Sequence, residues 1–140
     1  MAARSLGIQP QLLDVRKPED LGLAFDGAIT ERADALVVGL DTLTQSSHQL
    51  IVDLAAKHRL PAMYASMEFA GGLVAYGVNY PGLYRHAASF ADKIFKGAKP
   101  ADLPVEQPTK FELIINMKTA KALGLTIPPS LLVRADRVIQ

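Results

Sequence analysis

Hydrogen-bonding and aromatic side chains follow three apolar runs of this sequence, at the points where predicted strands end. The carboxyl ends of parallel strands meet at one edge of a sheet, and open α/β folds bind their ligands beyond that edge. Hydroxyl, carboxylate, amide and phenol groups together suit a small amphipathic ligand. The sequence therefore predicts a ligand-binding rim that consists of Asp41, Thr42, Tyr64, Ser66, Tyr76 and Asn79.

Glu68 is a further candidate for this rim, because it lies in the loop that follows the second apolar run, close in sequence to Tyr64 and Phe69. Binding residues are disproportionately found on loops, and a carboxylate here could face the ammonium group of a ligand. A solvated surface charge is the alternative. Other rim residues also have a second possible role, since Asp, Thr and Asn are favoured helix N-caps and Tyr76 could belong to the core.

Patterns typical of enzymes are missing from the sequence. The three histidines, His48, His58 and His86, lie within or at the end of predicted helices and have no second metal ligand at a suitable spacing. No serine lies in a G-x-S-x-G elbow, and the glycine pair at 71–72 lacks the Lys-Ser/Thr of a phosphate-binding loop. The sequence predicts a protein that is not an enzyme, with no catalytic residue, no metal site and no cofactor.

The composition indicates one globular domain. The 140 residues are 49% hydrophobic and 21% charged, and the net charge of +1 indicates neither nucleic-acid binding nor a polybasic membrane patch. The absence of cysteine excludes disulfides and thiol chemistry. The longest apolar run, at 35–40, is far shorter than the ~20 residues of a membrane span. The first residues lack the apolar region of a signal peptide, so the chain expressed as given would stay in the cytoplasm.

The periodicity of apolar residues predicts strands and helices in alternation, an arrangement that favours a parallel sheet with right-handed crossovers. A helix at 1–6 ends at Gly7. Three prolines from Pro100 to Pro108 favour an extended connector at 98–109. The predicted division is an α/β core at 1–97 and, at 98–140, the connector with a strand and short helices. Predicted strands lie at 11–15, 35–40, 60–64, 73–76 and 111–116, and the main helices begin at Pro18, at Thr42 or Ser46, and at Asn79, with a short helix at 117–123.

One long stretch of the sequence resembles a known family. It runs from Gly71 to Leu132 as GGLVAYGVNYPGLYRHAASFADKIFKGAKPADLPVEQPTKFELIINMKTAKALGLTIPPSLL, and it is preceded by ERADALVVGLD and LAAKHRLPAMYA. Together these segments resemble the C-terminal part of the ABC-transporter substrate-binding proteins, the family that includes tryptophan- and tyrosine-binding lipoproteins of bacteria. The run from Asp92 to Ile127 is the most specific part of the resemblance.

The resemblance implies a function in solute import. Members are two-lobed, type I periplasmic binding proteins that capture a small solute, such as an amino acid, and pass it to a membrane permease after hinge closure. They are exported, so the resemblance implies a periplasmic location. A chain of 140 residues could supply only one Rossmann-like lobe, so we expect a truncated lobe with weak or no binding of its own.

The resemblance also implies that the first strand of the lobe is missing, because in the family a strand and most of a helix precede this point. Its loss would leave backbone groups of the strand at 35–40 unpaired. We hypothesise a homodimer in which strands, or the segment from Phe111 onward, pack across subunits. The competing hypothesis is a stand-alone flavodoxin-like regulatory or protein-interaction domain, which the same alternation of elements fits.

Overall fold

Five strands form one mixed sheet in the computed structural model, which describes residues 2–140. Their order in space, β1-β2-β3-β4-β5, is their order in sequence. The first three strands are parallel, β4 runs antiparallel to β3, and β5 runs parallel to β4. The strands are β1 (Leu36–Val38), β2 (Ala62–Tyr64), β3 (Val74–Val78), β4 (Phe111–Asn116) and β5 (Arg137–Ile139).

Seven helices connect or extend these strands within the described residues. Two 3-10 turns accompany them, at Met67–Phe69 after β2 and at Pro100–Asp102 in the connector. Helices α2 and α4 pack against each other, and α4 also contacts the first 3-10 turn. The helices are α1 (Ala2–Ser5), α2 (Asp20–Thr30), α3 (Thr42–Ser46), α4 (His48–Lys57), α5 (Tyr80–Phe95), α6 (Met117–Leu123) and α7 (Pro129–Leu132).

The main core lies between α2, α4 and one face of the sheet. Phe25 of α2 and Ile51 of α4 are almost fully buried against Val38 of β1 and Tyr64 of β2. The buried residues of α2, Leu21, Phe25 and Ala28, follow the three-to-four spacing that places one helix face against a sheet. The opposite face of the sheet is more open, since Val37, which alternates with the buried Val38, has 77% of its surface exposed.

The predicted alternation of strands and helices and the Rossmann-like α/β lobe are confirmed. The strand and the helix predicted at 111–116 and 117–123 match β4 and α6 residue for residue. Gly124 ends α6 with a φ of 74°, a left-handed conformation that glycine adopts without steric cost. Of the helix predicted at 1–6, Met1 lies outside the described residues.

Several details of the prediction were wrong. Residues 11–15 form no strand, because no neighbouring strand pairs with them in the described part of the chain. The sheet is not wholly parallel, since β4 returns antiparallel to β3, and it includes β5, a strand near the C-terminus that the sequence did not predict. The connector, expected to exclude helix, contains the 3-10 turn at Pro100–Asp102. The segment from Phe111 onward pairs with β3 of the same chain.

Candidate functional site

The ends of four strands form the rim on which the predicted site residues lie. The carboxyl ends of β1, β2 and β3 meet at one edge of the sheet, as in other parallel sheets. Because β4 is antiparallel to β3, its amino end lies at the same edge, with Glu112 opposite Gly77 and Phe111 opposite Val78. The rim therefore gains Phe111 and Glu112, two residues that the sequence did not indicate.

Asp41 follows β1 and is the N-cap of α3. Its side chain accepts a 2.7 Å hydrogen bond from the backbone N–H of Thr44, and the Thr44 hydroxyl is 3.0 Å from the backbone N of Asp41, which completes a capping box. The backbone hydrogen bond from Thr44 is the main cause that lowers the pKa of Asp41 below its ordinary value of 3.8. Thr42, the first residue of α3, is exposed beside it. Asp41 thus caps a helix, which is the role that its residue type allowed as an alternative to ligand binding.

Glu68 lies on the same side of the rim, in the turn after β2, and its carboxylate is oriented by α3. Nε2 of Gln45 donates a 2.9 Å hydrogen bond to Oε1 of Glu68. Gln45 belongs to the helix that Asp41 caps, so the capping box also positions the group that holds Glu68. Glu68 is exposed, and its second carboxylate oxygen has no protein partner among the hydrogen bonds of the described residues.

Tyr64 and Ser66 are buried rather than exposed at the rim. Tyr64 is 1% exposed and stacks on Phe69, with ring centroids 4.7 Å apart, and burial raises the pKa of its phenol to about 12. Ser66 is 2% exposed and its hydroxyl caps the 3-10 turn that carries Glu68. Both residues therefore act through the scaffold, since they fix the loop rather than present a surface to a ligand.

Gly77 of β3 allows β3 to approach the end of β2 closely. A Cβ at this position would lie 2.7 Å from the carbonyl oxygen of Ala65 and 3.3 Å from the Cα of Ser66. Real Cβ atoms do not come so close to backbone, so only glycine fits without a shift. This contact joins the side of the rim with Glu68 to the side formed by β3 and β4.

Tyr76 and Asn79 occupy the second side of the rim, on β3 and just beyond it. Tyr76 is 44% exposed and stacks on Phe111 of β4, with ring centroids 5.7 Å apart. Asn79 caps α5 by accepting a hydrogen bond from the backbone N–H of Gly82, and its amide donates to Glu112. The structure thus joins Tyr76 and Asn79 to β4 and joins Glu68 to α3, so the predicted residues form two neighbouring groups on one edge.

A small open cleft of about 160 Å³ adjoins Asn79, between the start of α5 and the end of the connector. His86 of α5 lies 2.7 Å from a carboxylate oxygen of Glu106, and this contact fastens the connector to the helix. Complete ligand pockets measure roughly 300–1,000 Å³. The cleft therefore offers part of a binding site and does not enclose a small organic molecule.

No group of three or more His, Cys, Asp or Glu side chains among residues 2–140 is arranged to hold a metal ion. None of the helices described combines the length and the apolar character that a membrane crossing requires.

Comparisons with known proteins agree on one family. A family model described as ABC transporter substrate binding protein matches residues 1–139. The tyrosine-binding protein of Clostridioides difficile (strain R20291) is 31% identical over 101 residues, which cover 70% of this chain and 29% of that protein. The chain thus spans less than a third of the length of this curated relative.

Solved structures show the same relationship. A conserved domain protein from Vibrio cholerae superposes with a TM-score of 0.86 at 26% identity, over 98% of this chain and 47% of that chain. An ABC domain in complex with L-Trp from Streptococcus pneumoniae gives a TM-score of 0.84 at 27% identity, over 98% and 48%. A ligand-free, open substrate-binding protein from Clostridium difficile, 23% identical over 99% of this chain and 47% of its own, shares the fold with a TM-score of 0.70.

The fold and the match over residues 1–139 therefore lead to one conclusion. This chain belongs to the ABC transporter substrate-binding protein family.

Proposed function

We propose that this chain forms one lobe of the solute-binding component of an ABC importer, and that its rim is one wall of the cleft for a small solute, an amino acid. The observation that carries the proposal is the hydrogen bond from Gln45 to Glu68, which holds an exposed carboxylate at the carboxyl edge of β2. A carboxylate in a fixed orientation attracts an ammonium group through a charge-assisted hydrogen bond. A relative described as tyrosine-binding and a neighbour crystallised with L-Trp support this ligand class.

The second side of the rim supports an apolar or aromatic ligand side chain. Tyr76 and Phe111 form a stacked pair with nearly half of each side chain exposed. Such rings offer a large contact area at a small cost in conformational entropy, and further rings stack on them in offset geometry. Asn79 and Thr42 add hydrogen-bonding groups on either side, while Asp41, Tyr64 and Ser66 maintain the shape of the rim.

Binding by this chain alone is expected to be weak. Ligand sites cover about 70–90% of a small molecule, whereas the rim supplies one wall and an adjoining cleft of about 160 Å³. In our proposal, high affinity requires a second lobe that closes over the ligand. A ligand that binds the closed state more tightly than the open state shifts the equilibrium toward the closed state. The proposed partner is the membrane permease of the importer, and the proposed location is periplasmic or extracellular, as for the family.

Nuclear magnetic resonance of ¹⁵N-labelled chain during titration with L-Trp, L-Tyr and L-Leu tests this function. We expect saturable shifts confined to the amides of the rim, with a Kd weaker than about 1 mM, which is a binding free energy of about −4 kcal/mol. N-acetyl-tryptophanamide, which lacks the ammonium group, should produce smaller shifts at Glu68. Absence of rim shifts with every amino acid would contradict the proposed site, and micromolar affinity in calorimetry would contradict weak binding by one lobe.

A further inference from the structure

A second, smaller cleft lies at the edge of the sheet opposite to the rim. Ala62, the first residue of β2, and Gly72, just before β3, line it from the sheet. Ala56 of α4 and Leu123 of α6 line it from the helices. The rim lies at the carboxyl ends of β2 and β3, whereas this cleft lies at their amino ends, so the two sites are separate. The cleft has a volume of about 50 Å³.

The hydroxyl of Tyr64 reaches this cleft from the core. Tyr64 lines the cleft although only 1% of its surface is exposed. A Cβ on Gly72 would have Cε2 and Cζ of this ring as its nearest atoms, so the end of the ring that carries the hydroxyl lies beside Gly72. The face of the ring stacks on Phe69. Tyr64 is therefore covered at the rim, whereas its polar end lies toward the opposite edge of the sheet.

This hydroxyl has no hydrogen-bond partner within residues 2–140. Every fully enclosed side-chain nitrogen or oxygen atom in the same range does have one. The Tyr64 oxygen is thus not fully enclosed, and the cleft that the residue lines is its opening to the outside. Buried hydroxyl groups are normally paired, because burial without a hydrogen bond is costly. The partner of this hydroxyl is therefore expected in the cleft.

The lining of the cleft specifies a neutral ligand with an oxygen acceptor. Burial raises the pKa of the Tyr64 phenol to about 12, so the group stays protonated at neutral pH and can donate a hydrogen bond. Thr119, the other polar side chain of the lining, already donates to the carbonyl of Gly71 at 3.2 Å. All remaining lining residues are alanine, glycine, valine or leucine. An ionised ligand is disfavoured, because apolar walls with one free donor do not replace its hydration.

We propose that this cleft binds a small aliphatic ketone or alcohol, whose oxygen accepts a hydrogen bond from Tyr64 and whose carbon atoms contact α4 and α6. A dry apolar cavity of roughly 150 Å³ holds benzene, so a cleft of about 50 Å³ suits about three carbon atoms. Ordered water is the competing occupant. A buried water typically makes about three hydrogen bonds, whereas the lining has two polar side chains. The site does not depend on the function proposed for the rim.

The test is a nuclear magnetic resonance titration of the ¹⁵N-labelled full chain with acetone, and with acetate as the control of equal size that carries a charge. We expect saturable shifts with acetone at the amides of Ala56, Gly72 and Thr119 and none at Tyr76 of the rim. The Kd should be on the order of tens of millimolar, because so small a ligand makes few contacts. Acetate should bind at least about tenfold more weakly. Shifts that do not saturate would show solvent effects or water only, and these shifts, or equal binding of acetate, would overturn the proposal.

Two variants examine the hydroxyl and the space of the cleft. Tyr64→Phe keeps the ring and its stack on Phe69 but removes the donor, so acetone should bind about tenfold more weakly. Its melting temperature should not fall, because no hydrogen bond within the chain is lost. Ala56→Leu enlarges an exposed side chain of the lining and should abolish binding, whereas Ala88→Leu, at an exposed position of α5 outside the cleft, should bind as the wild type does. Unchanged affinity of Tyr64→Phe or of Ala56→Leu would overturn the proposal.

Discussion

Nε2 of Gln45 lies 2.9 Å from Oε1 of Glu68, and the hydrogen bond between them joins α3 to the turn that follows β2. The two residues are 23 positions apart in sequence and meet because β1 and β2 are parallel neighbours whose carboxyl ends share an edge. The bond leaves one carboxylate oxygen of Glu68 available to a ligand. Glu68 therefore combines exposure with a fixed orientation, which a solvated surface charge lacks.

Replacement of this carboxylate should weaken amino-acid binding without loss of stability. We expect Glu68→Gln to raise the Kd for L-Trp about tenfold, which corresponds to about 1.4 kcal/mol. The melting temperature should stay unchanged, because exposed pairs contribute little. Asp53→Asn is the matched control, since Asp53 also accepts a 3.0 Å hydrogen bond from a glutamine, Gln49, but lies on α4 away from the rim. Equal affinity of Glu68→Gln and wild type would remove Glu68 from the site.

Loss of the stacked pair on the other side of the rim should affect both stability and binding. Tyr76→Ala removes the ring contact with Phe111, and aromatic pairs are worth about 0.5–1.5 kcal/mol beyond buried area. We expect the free energy of unfolding in urea to fall by about 1 kcal/mol and the affinity for aromatic amino acids to fall more than that for L-Leu. Tyr84→Ala, at a 72% exposed position on α5, should change neither quantity. A double-mutant cycle with Phe111→Ala that shows no coupling would contradict a stabilising contact.

Gly72 should tolerate no side chain, because the ring of Tyr64 occupies the space that a Cβ would need. A Cβ there would lie 2.1 Å from Cε2 of Tyr64, a ring held in the core by its stack with Phe69. Overpacking of a core costs about 1–3 kcal/mol, so Gly72→Ala should lower the free energy of unfolding by that amount. Gly27→Ala, within α2 and with no atom within 4 Å of the added methyl group, should instead stabilise by about 0.5–1 kcal/mol. Equal melting temperatures for the two variants would contradict this account.

The cap formed by Asp41 should make the stability of the folded protein depend on pH in the acidic range. Its pKa in the folded protein is lowered from 3.8, so the ionised form is favoured by folding. The contribution is present above pH 3.8 and is lost as the pH falls through the folded pKa. Asp41→Asn retains an oxygen that accepts from the N–H of Thr44 but does not titrate. The melting temperature of the wild type, measured from neutral pH downward, should therefore decrease relative to that of Asp41→Asn only below about pH 4. A constant difference between the two at all pH values would contradict the lowered pKa.

The sequence predicted most elements because their determinants are local. The three-to-four spacing of Leu21, Phe25 and Ala28 specifies the buried face of α2. The end of α6 is similarly encoded by Gly124, whose φ of 74° few other residues adopt. The rule that ligands lie at the carboxyl ends of parallel strands selected Tyr76 and Asn79 for the rim, and these residues lie on β3 and just beyond it. Glu68 was selected by its position in a loop.

Tertiary structure alone decided which rim residues are exposed and which neighbours hold them. Tyr64 and Tyr76 each belong to an apolar run of the sequence. Tyr64 is nevertheless buried under Phe69, whereas Tyr76 is about half exposed. The reason is that the two side chains point to opposite faces of the sheet. The partners of Glu68 and Asn79 are Gln45 and Glu112, 23 and 33 residues away. The local sequence does not specify such pairs, because strand direction and register determine them. Residues 11–15 show the same limit, because apolar residues such as Leu12, Leu13 and Val15 form a strand only when a second strand provides the hydrogen bonds.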